Sequence, residues 1–296
     1  MNDRAFTLVG IKPERLPAQR LEKPSLLRGK PIISAAVLAL IILGCLFANL
    51  IMTKDPTYMD LANCAHAPGG EFLFGTDTMG RDIFSMIWYG GRISLFIGVV
   101  ATLISTAIAV VYGAVSGCAP QWLDVAMMRF TEIILSVPTL LVVIFIQAIL
   151  GKSNALTIAI VIGLTGWMSI AKVIRTEVRQ IRNSDYVIAA RCMGGGFFHI
   201  LWRHLAPNFV SSIMFMVVMN IRSAIASEST LSFMGIGLPL EIISWGSMLS
   251  LSEKALLSGS WWIILVPGIF LVVTLMCVTN IGNYLRREVN RKQSNL

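Results

Sequence analysis

The chain has 296 residues, 55% of them hydrophobic and only 14% charged, and its mean hydropathy is +0.74. A soluble domain carries about 25% charged residues, so this composition excludes an ordinary water-soluble enzyme. The formal charge of +8 would suit a nucleic-acid binder, but the placement of the basic residues gives it another meaning.

In chain order, the first thirty residues are polar and basic, so no cleavable signal peptide is expected and residues 1–31 read as a cytoplasmic arm. Charge-free apolar blocks follow at Ile32–Met52, Ile93–Ser116, Ile133–Leu150, Ala155–Ala171 and Trp261–Ile281. Blocks of this length are membrane spans, and an unsolvated backbone forces each to be a helix. A sixth span, Phe209 to about Glu228, is interrupted by Arg222. The membrane domain is expected over 32–283, with a loop at 172–208 and a cytoplasmic tail over 284–296. Six spans place 18 of the 24 basic residues in arms or loops on one side. The rule that basic residues stay inside then makes both termini cytoplasmic, and the charge belongs to a membrane surface, with no nucleic acid as partner.

Few residues suggest chemistry. Five cysteines are scattered without CxxC spacing, so neither a disulfide framework nor a metal site is expected. Gly151-Lys152-Ser153 imitates the end of a phosphate-binding loop, but Ile146 stands where the first glycine is required. His199 and His204 are five apart, which does not place two ligands on one helix face. No catalytic residues and no cofactor are expected.

Other polar residues read as structural or path-lining. Asp77 and Arg81 are four apart ahead of the second span. If 79–89 is helical, Asp77 caps it and pairs with Arg81; with Asp82 they brace the span externally, and contact with an external partner is the alternative. Gly113 and Gly117 form a small-residue packing face, while Pro138 and Pro267 should bend their spans. A mid-span charge such as Arg222 costs about 2.5–3.5 kcal/mol on insertion scales and faces a partner or a watery cavity. Glu228 stands six residues later, about 240° round the helix, so the two do not share a face. Both are candidates for the pathway or a subunit interface.

The loop between the fourth and fifth spans carries the most information. Asp185 starts a short helix, Gly194-Gly195-Gly196 breaks it, and a second short aromatic helix runs toward Pro207. This stretch resembles the Glu-Ala-Ala motif of ABC-importer permeases. Ala189, Ala190, Gly194 and Pro207 match it, whereas Ile188 replaces the glutamate, His204 an isoleucine and Ala206 a leucine. Asp185-Tyr186-Val187 and Arg203-His204 are similar to the second permease of oligopeptide, dipeptide and nickel importers. So are Phe74-Gly75-Thr76-Asp77 through Gly80-Arg81-Asp82, Leu231-Ser232-Phe233-Met234-Gly235, Trp245-Gly246-Ser247 and Asn280 through Arg286, where Asn283 replaces the usual aspartate.

The resemblance implies an all-α integral membrane protein of six transmembrane helices with a type I ABC-importer permease core. It implies a coupling loop, with Asp185, Tyr186, Ala189, Ala190, Arg191, Gly194, Arg203 and Pro207 among its residues. The implied partners are a homologous permease subunit, two cytosolic ATPases, an extracytoplasmic substrate-binding protein and membrane lipid. The implied cargo is a peptide, with nickel or a metal chelate as alternative. An ion-coupled secondary transporter would show mid-membrane carboxylates and paired repeats; only Glu228 comes close. A membrane enzyme would need a catalytic constellation, and none is readable.

Overall fold

The computed structural model describes residues 31–151, 154–194, 196–200, 202–203, 206–239, 241–251, 255 and 259–293. Every regular element among them is helical. α1 (Ile32–Leu46) and α2 (Ala48–Ile51) are followed by an irregular segment containing one 3₁₀ turn, Leu61–Asn63. The remaining elements are α3 (Ile83–Cys118), α4 (Gln121–Leu135), α5 (Thr139–Leu150), α6 (Ala155–Thr165), α7 (Met168–Ile181), α8 (Asp185–Cys192), α9 (Phe197–Ile200), α10 (Ala206–Phe233), α11 (Trp245–Ser250) and α12 (Trp262–Gln293).

α3 is the axis of the structure. Its 36 residues make it about 54 Å long, well beyond a hydrocarbon layer of about 30 Å. It packs against α6, α7 and α10, while α12 packs against α1, α10 and α11. Gly113 and Gly117 lie on the face of α3 that meets α7. A Cβ on Gly113 would stand 2.6 Å from the Ala171 carbonyl oxygen, and one on Gly117 2.7 Å from Val178 Cγ1, so both glycines are needed for the approach. Large apolar side chains cover the outside as well as filling the buried clusters between helices: Leu103 is 64% exposed, Phe145 66% and Met276 60%. In water this surface would be prohibitive; against lipid tails it is solvated.

α3 and α12 are each long and apolar enough to cross a membrane alone. The stretch read from sequence as one span over 133–150 is broken, with α4 and α5 meeting at 85°. Pro138 explains the break, since it lacks an N–H and disfavours helical backbone at Val137. α6 and α7 meet at 44°, at Gly166 and Trp167. Helix also continues beyond the apolar block that ends at Ala171, because Met168, Ala171, Ile174 and Val178 keep a buried face through Ile181. Pro267 sits inside α12 without ending it. The expected tripeptide at 151–153 and the arm at 1–30 fall largely outside the described residues, as Lys152, Ser153 and residues 1–30 do.

Candidate functional site

Four polar assemblies stand out from the apolar helices. The first is the hairpin of α8 and α9. Ser184 ends the turn from α7: its N–H and hydroxyl donate to the Ile181 carbonyl at 2.9 and 2.7 Å, and its own carbonyl accepts from Val187 and Ile188 at 3.0 and 3.1 Å. Asp185 is the first residue of α8 and is exposed. Val187, Ala190 and Ile200 are buried in one cluster with Ile174 and Val178 of α7 and Phe209 of α10. Ile188 (47%) and Met193 (82%) are exposed, as is Ala189; beyond α9, Arg203 is exposed and Trp202 (64%) lines an apolar groove with Leu103 and Val111 of α3 and Val210 of α10. Gly194 makes the bend at φ +84°, a left-handed backbone that L side chains resist. The backbones of Tyr186 and Arg191 belong to α8 and that of Pro207 to the first turn of α10. Their side chains, and all of Gly195 and His204, are outside the described residues.

The second assembly was not read from the sequence. Asp124, near the start of α4 and ahead of the apolar stretch that begins at Ile133, is 2% exposed. Arg175 donates to it twice, Nε to Oδ1 and Nη2 to Oδ2, both at 2.5 Å. Arg179 Nη1 donates to Oδ2 at 2.7 Å and Ser116 Oγ to Oδ1 at 2.6 Å. The Arg175 hydrogen bonds chiefly hold the Asp124 carboxyl down at about 2, against the opposing effect of burial. One turn on, Arg182 Nη1 donates to the Gly117 carbonyl at 2.9 Å, at the C-terminal end of α3 where a cation meets the negative end of the helix. The signal for this cluster is the spacing of Arg175, Arg179 and Arg182, which puts three guanidiniums on one helix face.

The third is a cleft of about 400 Å³ between α10 and the two helix breaks. Leu135 and Thr139 line it from either side of the α4–α5 elbow, Gly166 and Met168 from the α6–α7 bend, and Asn220, Arg222, Ser223 and Ser227 from α10. Arg222 is exposed within it and makes no ion pair with a described residue. Glu228 is on another face of α10, fully buried. Its carboxylate accepts from Ser244 at 2.8 Å, Ser232 at 3.0 Å, Ser94 at 3.2 Å and Ser229 at 3.4 Å. Three of these serines also accept backbone N–H groups: Ser94 from Trp245, Ser232 from Leu238 and Ser244 from Ser247. One carboxylate thereby organises α3, α10 and the cap of α11.

The fourth is at the Ile83 end of α3. Asp77 accepts from Arg81 Nε at 2.7 Å, and from the N–H groups of Met79 at 2.8 Å and Arg81 at 2.9 Å; both side chains are buried. The sequence reading starts the helix at Met79 with Asp77 as its cap. In the structure α3 begins at Ile83 and Asp82 is the cap, accepting from Ser85 N–H at 3.0 Å and from Thr53 Oγ1 at 3.1 Å. Gly80, at φ +77°, turns the chain between the two carboxylates. Among the described residues no three His, Cys, Asp or Glu side chains gather as a metal site would require.

Lipid-facing helices, polar side chains that fasten helix ends, a cleft with polar groups in its wall and a short helical hairpin are the features of a membrane-embedded transport subunit. The chain belongs to the family of binding-protein-dependent transport system inner membrane components, whose profile matches residues 109–291. It is 38% identical over 225 residues to the dipeptide transport system permease protein DppC of Bacillus subtilis (strain 168), covering 76% of this chain and 70% of that one. It is 35% identical over 261 residues to the oligopeptide transport system permease protein OppC of the same organism, covering 88% and 85%. The OppC protein of Haemophilus influenzae is 35% identical over 267 residues, covering 87% and 85%.

Proposed function

We propose that this chain is one of two homologous permease subunits of an ATP-driven peptide importer, itself non-catalytic. In this reading α1 with α2, α3, α4 with α5, α6 with α7, α10 and α12 make six passes through the cytoplasmic membrane, with both termini in the cytoplasm. Two ATPases work from the cytoplasmic side, and a binding protein delivers peptide on the other. The family and the peptide-permease names of its relatives support the reading. The observation that carries it is the outward face of the α8–α9 hairpin. Ile188 and Met193 are exposed on it while Val187 and Ala190 are buried beneath, and exposed apolar side chains on a loop read as lying outside the bilayer require a partner to cover them. Asp185, Tyr186, Ala189, Ala190, Arg191, Gly194 and Pro207 complete that coupling element. Arg222 lines the peptide path, Glu228 fixes the wall behind it, and Asp77, Arg81 and Asp82 brace the external end of α3.

The test is Gly194→Leu. No atom of the described residues lies within 4 Å of the position its Cβ would take, so the substitution projects away from them while opposing the left-handed backbone. The subunit should reach the membrane and pair with its homologue normally, while co-purification of the ATPases falls severalfold and peptide uptake is lost. Retention of both the ATPases and wild-type uptake would remove this hairpin as the coupling element.

A further inference from the structure

We propose that Asp124 is a positioning residue of the transport cycle. Its clamp with Arg175 and Arg179 makes α7, the C-terminal end of α3 and α4 one lever between the coupling hairpin and the Arg222 cleft. The inference rests on the importer reading above and adds the route by which movement at the hairpin reaches the path.

The route is continuous. At one end, only residues 182–184 separate α7 from α8, and the Ser184 hydrogen bonds leave that turn no slack. Val187 and Ala190 of the hairpin are packed in one cluster with Ile174 and Val178, so α7 moves when α8 moves. In the middle, Arg175 and Arg179 project from the same helix and converge on a single carboxylate across 51 and 55 residues of sequence. A bidentate guanidinium fixes orientation as well as distance. Arg182 fastens the same helix to the end of α3.

α4 has few other ties. Asp124 and Thr131 are its only buried residues; Tyr112 Oη donates to the Met127 carbonyl at 2.7 Å, and Ile134 near the elbow packs against the cluster shared by α3 and α7. At the far end, α4 stops at the 85° elbow, and Leu135 and Thr139 on either side of that elbow line the cleft. The 44° bend at the head of α7 lines it too. A rotation of α7 is therefore delivered to two walls of the cleft, once directly and once through Asp124.

The experiment uses the complete transporter, with both permeases, both ATPases and its binding protein, reconstituted in proteoliposomes. ATP hydrolysis and uptake of a defined mixture of labelled di- to pentapeptides are measured together. With Asp124→Asn the ATPases should stay bound and peptide-stimulated hydrolysis should remain within about twofold of wild type. Uptake should fall tenfold or more, so that ATP consumed per peptide rises at least fivefold. Reversing the charges with Asp124→Lys and Arg175→Glu together should recover part of the uptake that each single change loses. A parallel fall in hydrolysis and uptake at constant ratio would make the clamp a static staple and overturn the proposal, as would wild-type uptake. Should Asp124→Asn fail to assemble, Arg179→Gln decides the matter: its side chain is 41% exposed and loses only one of the hydrogen bonds. An unchanged ratio in that variant overturns the proposal. Failure of the importer reading itself would show differently, as wild-type complex that neither hydrolyses ATP in response to peptide nor imports it.

Discussion

Gly80→Ala should be the most damaging single-methyl change at the Ile83 end of α3. Gly80 has φ +77°, and the left-handed backbone costs an L residue about 1–2 kcal/mol. The added Cβ would also lie 1.8 Å from the Asp60 carbonyl oxygen, whereas real Cβ atoms essentially never come under 3.0 Å. The Asp60 backbone must therefore retreat by more than 1 Å. It carries the small turn after it, since its carbonyl accepts from Asn63 N–H at 3.0 Å and its carboxylate from Ala62 N–H at 3.2 Å and Asn63 Nδ2 at 2.8 Å. At the low end of the range for a hydrogen bond, about 0.5 kcal/mol for each of the three weakened, and with the backbone cost, the total comes to about 2.5–3.5 kcal/mol. Gly151→Ala is the control: its φ is +64° but no atom of the described residues lies within 4 Å of the new Cβ, so only the backbone cost applies. Thermal unfolding of the detergent-purified subunit should show Gly80→Ala losing about 5–10 °C and Gly151→Ala about 2–4 °C. Equal losses, or a Gly80→Ala variant that melts with wild type, would refute the steric argument.

Other changes test the buried charges. Glu228→Leu strands the hydroxyls of Ser94, Ser232 and Ser244 in a dry interior, at about 1–3 kcal/mol for each unsatisfied group; folded subunit in the membrane should fall sharply by size-exclusion profile, with Glu228→Gln far milder. The Asp124 carboxyl is lowered from 3.8 to about 2 in the folded chain, so its contribution to stability is full above pH 3.8 and is lost as pH falls toward 2. The melting difference between wild type and Asp124→Asn should accordingly be flat from pH 5 to 7.5 and shrink below pH 4; a difference that peaks in acid would contradict the clamp. Arg222→Ala should leave assembly and melting unchanged and reduce peptide uptake, with Arg222→Lys restoring part of it; equal uptake by all three would take Arg222 out of the path.

The membrane character was legible because hydrocarbon admits long charge-free runs and little else, and each apolar block in the sequence contains a helix in the structure. Hydropathy was blind to direction. It joined Ile133 to Leu150 across the elbow because Val137 and Pro138 are as apolar as their neighbours. It also ended the fourth block at Lys172, although the helix runs to Ile181 on a buried face that repeats every three or four residues. The separation of Arg222 from Glu228 followed from helix periodicity alone. The cap of α3 did not, because Asp77 and Asp82 are chemically equal candidates and only the turn at Gly80 chooses between them. Asp124 was hidden for a plainer reason: its two arginine partners lie more than fifty residues away, and a sequence read locally sees an ordinary acid in a connecting segment.

The fate of each charge inside the helical body separates fixed parts from working ones. Arg92 is spent on the carbonyls of Cys45 and Leu46 and on Asn49. Asp77 and Arg81 neutralise each other, Asp124 is held by two guanidiniums, and Glu228 is enclosed by serines. Arg92, Asp124 and Glu228 each fasten one helix to another, Asp77 and Arg81 hold the turn that leads into α3, and none of the carboxylates is open enough to greet a cargo. Arg222 differs in kind. On α10 it shares a helix with Glu228, yet it faces the cleft with no ion-pair partner among the described residues, at a position where an apolar residue would cost the membrane nothing. One face of α10 is thus locked through Glu228 to α3 and α11, while the other borders both helix breaks. If α7 and α4 move together, the surroundings of Arg222 must change while those of Glu228 need not. A spin label at Ser223 should therefore change its environment between nucleotide-free and ATP-bound transporter, and one at Leu249 beside the serine cage should not.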